Sequence, residues 1–219
     1  MAGAFRQILP GSVAVQAKER LGANVALYPS EAAAAAVMAP SRRAEFATGR
    51  ACARQALADL GLPPVDIPVG ADREPQWPPI VVGSITHWDE VGVAAVARSI
   101  AWHAIGIDGE RDGSLPSETL DLVATEAEME RLRANGPEWA TRLFVMKEAA
   151  FKAWFPTTRR RLAFDQLVIT IDAGGQTFHA HFVAQAVPPL FAGGVHGRFM
   201  AQGSSFLAAV CVPRQPSTR

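Results

Sequence analysis

The sequence holds only two cysteines and one tyrosine in 219 residues, and it carries no net charge. Cys52 (in RACARQAL) and Cys211 (in AAVCVP) lack the CxxC spacing of a zinc site and cannot build a disulfide framework. Both read as buried thiols of a reducing compartment. With 21 Lys and Arg against 21 Asp and Glu, no global field draws the chain to nucleic acid or to a membrane surface. The longest apolar stretch, near Ala32, is too short and too alanine-rich to span a bilayer. The opening MAGAFRQILPGSVAV lacks a basic stretch followed by a long apolar run, so no signal peptide is expected and the reading is cytoplasmic. GxGxxG, GxxxxGK(S/T) and GxSxG are all missing, which counts against dinucleotide-binding, P-loop and α/β-hydrolase readings.

What is present suits one large domain or two small packed ones: 49% apolar and 19% charged residues, enough to bury a core. Residues 12–18 read as an early strand. Ser41, followed by Arg42-Arg43-Ala44-Glu45, reads as the N-cap of a helix that runs to residue 60 and stops at Gly61. Residues 70–79 form a turn-rich loop, and residues 80–86, 91–98 and 102–108 are strands. Helical sequence returns from about residue 117, and residues 139–154 form a strong helix ended by Pro156. Residues 167–171, 177–183 and 206–212 are three further strands. Each half carries a long helix and several strands, which predicts an α+β fold as two similar subdomains with a cleft between them.

Two features carry chemistry. Asp108 and Glu110 stand at the end of the apolar strand 104–107, spaced i, i+2, so both side chains leave the same face. Neighbouring carboxylates repel, and a hard cation between them relieves that repulsion; Mg²⁺ suits such oxygen donors. The plain alternative is two acids solvated at a strand end. Glu148 and Lys152 lie i, i+4 on the second long helix, the favourable orientation for a surface ion pair worth a few tenths of a kcal/mol. Against that plain reading, Arg142, Lys147, Lys152, Arg159, Arg160 and Arg161 face the single acid Glu148, a local net of +5 in a neutral chain. Such an excess calls for an anionic partner.

Further anion-binding candidates are Arg43, Arg50 and Arg54 on one stripe of the first long helix, Arg42 at its start, Arg73 in the Pro-rich loop, and His87 after a strand. Trp77 and Trp88, beside a proline or a strand end, read more readily as packing than as stacking platforms. His179 and His181 alternate on a strand, but no third ligand is evident nearby, so a zinc site is rejected.

Together these segments resemble the 4′-phosphopantetheinyl transferases of the surfactin/enterobactin type. The carrying motifs are Gly106-Ile107-Asp108-Gly109-Glu110, Lys147-Glu148-Ala149-Ala150-Phe151-Lys152 extended by Ala153-Trp154-Phe155-Pro156, and Ser84-Ile85-Thr86-His87. Arg42-Arg43-Ala44-Glu45-Phe46 with Gly49-Arg50, and Arg73-Glu74-Pro75-Gln76-Trp77-Pro78, complete the set in family order across residues 42–167. Gly109 and Trp88 depart from residues common in the family, and neither removes a ligand.

The resemblance implies two pseudo-symmetric subdomains, residues 1–111 and 112–219, each a long helix on a small, mainly antiparallel sheet, with the active site in the cleft. The first would bind the 3′-phosphate and adenine end of coenzyme A and supply two metal ligands; the second would supply the third. Asp108, Glu110 and Glu148 would hold Mg²⁺ (Mn²⁺ as a substitute). Lys147, Lys152 and His87, with Thr86 beside them, would hold phosphate oxygens. Arg42, Arg50 and Arg73 would hold the 3′-phosphate and adenine end. Helix geometry favours Arg43, but the family pattern favours Arg42, which a first-turn position allows to reach across.

The implied reaction is attack of a carrier-protein serine on the β-phosphate of coenzyme A, releasing 3′,5′-ADP. Glu148, Lys152, Asp108 and Glu110 would be its catalytic residues, with Glu148, Glu128 or a bound water taking the serine proton. Acyl, peptidyl and aryl carriers are all admissible partners, nucleic acid and membrane are not, and a monomer is expected. Two readings compete: a non-catalytic coenzyme A- or nucleotide-binding module, which gains nothing from three converging carboxylates, and a scaffold whose charges are surface decoration.

Overall fold

The computed structural model describes residues 1–19, 25–116, 119–133, 136, 138–172 and 174–214, without the side chains of 131–133. The chain forms two compact units, Met1–Ile105 with Pro213–Arg219, and Gly106–Val212. This division falls at Gly106, ahead of the one expected after residue 111, so Asp108 and Glu110 belong to the second unit.

The first unit contains α1 (Ala2–Ile8), β1 (Ala14–Glu19), α2 (Pro29–Ala35), α3 (Pro40–Asp59), β2 (Val81–Trp88) and β3 (Val91–Arg98). Its three strands form an antiparallel sheet in the order β1-β3-β2. Cys52, Ala53, Ala56 and Leu57 of α3 pack with Ile67, Val81, Ala94 and Val96 in one core cluster. Small alanines on the helix permit this close seat on the sheet. The first turn of α3 is set differently from the expectation: Ala39 is its N-cap and Pro40 its first residue, with Ser41 already inside. Proline suits that place because its missing N–H would have no intrahelical acceptor there. Gly61, at φ 69°, ends the helix in the left-handed conformation. The short helices α1 and α2 were not expected; Phe5 and Ile8 bury the inner face of α1.

The second unit takes up β4 (Trp102–Arg111) from Gly106 and adds α4 (Leu120–Val123), α5 (Glu126–Arg133), α6 (Glu138–Thr158), β5 (Leu167–Asp172), β6 (Thr177–Phe182), β7 (Val195–Gln202) and β8 (Ser205–Pro213). The strand order in its sheet is β4-β8-β7-β6-β5. The architecture is α+β, with antiparallel pairing from β5 through β8. α6 runs through Pro156 instead of stopping before it. Its end comes at Arg159, whose backbone turns to φ 56° and whose N–H donates to Phe155 O at 2.8 Å. Trp154, fully buried, stacks on Phe182 at 4.6 Å and meets Phe191 at 4.9 Å, fastening α6 to the unit.

β7 was not expected, because Gly197 interrupts its alternation. A Cβ there would lie 2.1 Å from the Phe178 ring, so that aromatic fills the place of the missing side chain. Cys52 is buried and Cys211 half-buried, and both thiols are free. Burial pushes them up to about 11 and about 12 respectively. Among the described residues no helix is long and apolar enough to cross a membrane.

Candidate active site

In the second unit the carboxylates come from two elements. Asp108 and Glu110 share one face of β4, Asp108 buried at 4% exposure and Glu110 half-buried. Glu148 and Lys152 leave α6 one turn apart. Lys152 Nζ donates to Asp108 Oδ1 at 2.6 Å, joining residues 44 positions apart. Burial raises the Glu148 carboxyl above its usual range; Lys152 draws it down and Asp108 pushes it further up. Glu148 therefore lies within electrostatic reach of both, and the plain reading of Glu148 and Lys152 as an isolated surface pair gives way to a half-buried charged group.

β4 and α6 meet at Gly106. A Cβ on that residue would stand 1.9 Å from Ala149 O and 2.7 Å from Ala153 N. The glycine of the Gly106-Ile107-Asp108 motif is thus what lets the strand lie against the helix, bringing Asp108 to Lys152.

Lys147 faces elsewhere. It is fully buried, and its ammonium donates to Glu128 Oε2 at 2.7 Å and to the carbonyls of Val123 and Phe164, both at 2.8 Å. All three donors are used, so the phosphate contact expected of Lys147 has no donor left to make it. Burial lowers the Lys147 pKa, and the Glu128 carboxylate opposes that shift. Glu128, expected only as an alternative base, also accepts from the N–H and hydroxyl of Thr125 and from Ile169 N.

In the first unit, Arg42 Nη1 donates to Glu45 Oε2 at 2.9 Å and contacts His87 Nε2. His87 Nε2 is also 3.0 Å from that same Glu45 oxygen. These three side chains join the start of α3 to the end of β2, with Thr86 buried beside His87. Arg50 is buried, its Nε donating to Ile67 O at 2.8 Å and its guanidinium lying 4.4 Å from the Phe46 ring centre. Burial pushes it down to about 10, against the pull of Glu31. Arg73 is exposed at φ 71° in the turn that Gly70 opens.

The stripe read along α3 does not act as one surface. Arg43 donates to Ala35 O and Ala36 O, while Arg54 pairs with Glu31 at 2.7 Å. Trp88 is core, edge-on to Phe5, and Trp77 packs against the α3 cluster.

β7 also supplies an imidazole that local sequence could not reveal: His196 pairs opposite His179, their ring centres 4.4 Å apart. His179 is meanwhile held by His181 at 2.7 Å and by Gly193 O at 2.9 Å. Among the described residues no three His, Cys, Asp or Glu side chains are gathered closely enough to hold a metal ion.

Sequence reasoning missed three linkages: Lys147 to Glu128, Lys152 to Asp108, and Arg142 to Asp112 at 2.7 Å. One signal was available, the capping-box spacing Thr125-Glu126-Ala127-Glu128 ahead of α5.

Known sequences match most of this chain. Residues 30–97 match the 4′-phosphopantetheinyl transferase N-terminal domain, and residues 104–211 match the 4′-phosphopantetheinyl transferase superfamily. The chain is 39% identical to the 4′-phosphopantetheinyl transferase Svp of Streptomyces mobaraensis over 201 residues, covering 88% of this chain and 81% of that protein. It is 38% identical to the 4′-phosphopantetheinyl transferase Npt of Nocardia iowensis, covering 80% and 83%. With the 4′-phosphopantetheinyl transferase PptT of Mycobacterium tuberculosis it shares 37% identity, covering 83% and 84%.

Proposed function

The chain belongs to the 4′-phosphopantetheinyl transferase superfamily, and we propose that Asp108, Glu110, Glu148 and Lys152 carry out its transfer. It moves the 4′-phosphopantetheine arm of coenzyme A to a serine of a carrier protein. The observation that carries the site assignment is the charged group formed by Asp108 and Lys152, with Glu148 within their field.

Asp108, Glu110 and Glu148 are not gathered closely enough here to enclose an ion by themselves, but their carboxylates are hard oxygen donors of the kind Mg²⁺ takes. Asp108, Glu110 and Glu148 would hold the ion, which supplies charge neutralisation at the pyrophosphate of coenzyme A. Lys152, beside these acids, would bind a phosphate oxygen and stabilise charge on the leaving 3′,5′-ADP. In the first unit His87 and Thr86 would orient the phosphates, and Arg42, Arg50 and Arg73 the 3′-phosphate and adenine end.

The serine oxygen forms a bond to the β-phosphorus as the bond to the ADP oxygen breaks; the serine proton passes to Glu148 or to water. Little else is required of the protein than alignment and neutralisation. The reaction would run in the cytoplasm, by a monomer.

The test is mass spectrometry of a purified apo-carrier incubated with coenzyme A and Mg²⁺. The carrier should gain one phosphopantetheine, and chelation of the metal should abolish the gain. Asp108→Asn and Glu148→Gln should each slow loading by at least about a hundredfold, the scale on which one transition-state contact acts. Full activity in either variant would remove that residue from the site.

A further inference from the structure

Glu128 and Lys147 form a buried ion pair on a different side of α6 from Asp108. Their exposures are 3% and 0%. Successive helix residues are about 100° apart, so Lys147 and Glu148 cannot point the same way. Lys147 reaches the C-terminal carbonyl of α4 at Val123, the carbonyl of Phe164 and the carboxylate of Glu128. Glu128 Oε2 also accepts from Thr125 N–H at 2.8 Å and Thr125 Oγ1 at 2.9 Å, and its Oε1 accepts from Ile169 N–H at 2.8 Å. Three donors thus converge on Oε2 and one on Oε1, so both carboxylate oxygens are engaged. The network ties α4, the first turn of α5, α6, the turn Phe164–Gln166 and the start of β5 into one joint.

We infer that Glu128 and Lys147 are positioning residues: their joint fixes the rotation of α6, so that Glu148 and Lys152 face Asp108, and Glu128 does not take the serine proton. The inference rests on the assignment of Glu148 and Lys152 to the transfer site. Gly106 sets how closely β4 approaches α6, at Ala149 and Ala153. The buried pair sets which way the helix is turned there. With Lys147 gone, Glu128 keeps a buried charge; with Glu128 neutral, Lys147 does. Either single loss strains the joint, whereas removal of both charges relieves the electrostatic part.

The experiment uses the full chain, coenzyme A, Mg²⁺ and an apo-carrier that the wild type loads. Glu128→Gln, Lys147→Met, the double variant and the milder Thr125→Ala are compared for melting temperature, kcat, KM and pH–rate profile, with Glu148→Gln alongside. The double variant should melt above either single one and still lose about a hundredfold in kcat, the effect of a misplacement near 1 Å. KM for the carrier should stay put, and the pH–rate inflections should not move. Thr125→Ala should show a smaller kcat loss of the same kind, which keeps the test decisive if the charge variants do not fold.

Wild-type kcat in folded Thr125→Ala and double variants would overturn the positioning role while leaving the site intact. A shifted pH–rate inflection in Glu128→Gln, with Lys147→Met fully active, would make Glu128 the base and overturn the inference. Full activity in Glu148→Gln would overturn the site itself, and the positioning role with it.

Discussion

At the scale of single residues, Gly106 has the most exacting surroundings. A methyl group there would meet Ala149 O at 1.9 Å and Ala153 N at 2.7 Å, both backbone atoms of α6 that cannot swing aside. Gly106→Ala should therefore force β4 and α6 apart. We expect a stability loss at or above the about 1–3 kcal/mol of an overpacked core, read by urea denaturation. Carrier loading should fall with it, because Asp108 and Lys152 depend on that approach for their 2.6 Å contact. An alanine variant as stable and active as the wild type would show that the strand does not need the glycine. The residue-level motif was legible from the i, i+2 spacing of Asp108 and Glu110. The reason for its glycine was not, since the obstructing atoms lie more than forty residues further along the chain.

Among elements, α2 is tied in by two acids, Asp66, which accepts from Ser30 N–H and Oγ, and the more deeply buried Glu31. Glu31 is fully buried and accepts from Arg54 Nη1 of α3 at 2.7 and 2.8 Å, from Tyr28 N–H at 3.0 Å and from Ile67 N–H at 3.1 Å. One carboxylate thus joins α2, α3 and the segment leading to β2. Glu31→Ala leaves a guanidinium and two N–H groups without their acceptor. Breaking a buried pair in this way costs about 3–5 kcal/mol. Thermal or urea unfolding of the variant should show that loss, and a change below about 1 kcal/mol would mean that α2 is held by other contacts. The long elements were readable from composition: α3 and α6 are rich in alanine and end near glycine or proline. α6 nevertheless passes through Pro156, because burial of Trp154 and Phe155 holds the last turn in place. α1, α2 and β7 escaped notice because short elements gain their stability from tertiary packing rather than local propensity.

For the molecule as a whole, coenzyme A should act as a stabilising ligand. At a hundredfold excess over its Kd, a ligand specific to the native state adds about 2.7 kcal/mol. With Mg²⁺ present, the melting temperature should rise as coenzyme A is titrated, and the rise should shrink in Glu148→Gln. No rise at saturating coenzyme A would contradict the assigned site. The sequence alone was enough to determine the α+β class and the family motifs, and to offer Asp108, Glu110 and Glu148 as candidates, because local periodicity and ordered spacing survive in one dimension. Only the tertiary structure decided what each charge is paired with. Lys152 meets Asp108, Lys147 is consumed by Glu128, and Arg54 belongs to Glu31. A charge in a sequence has no fixed partner; folding supplies one, because a buried charge left unpaired costs too much to persist.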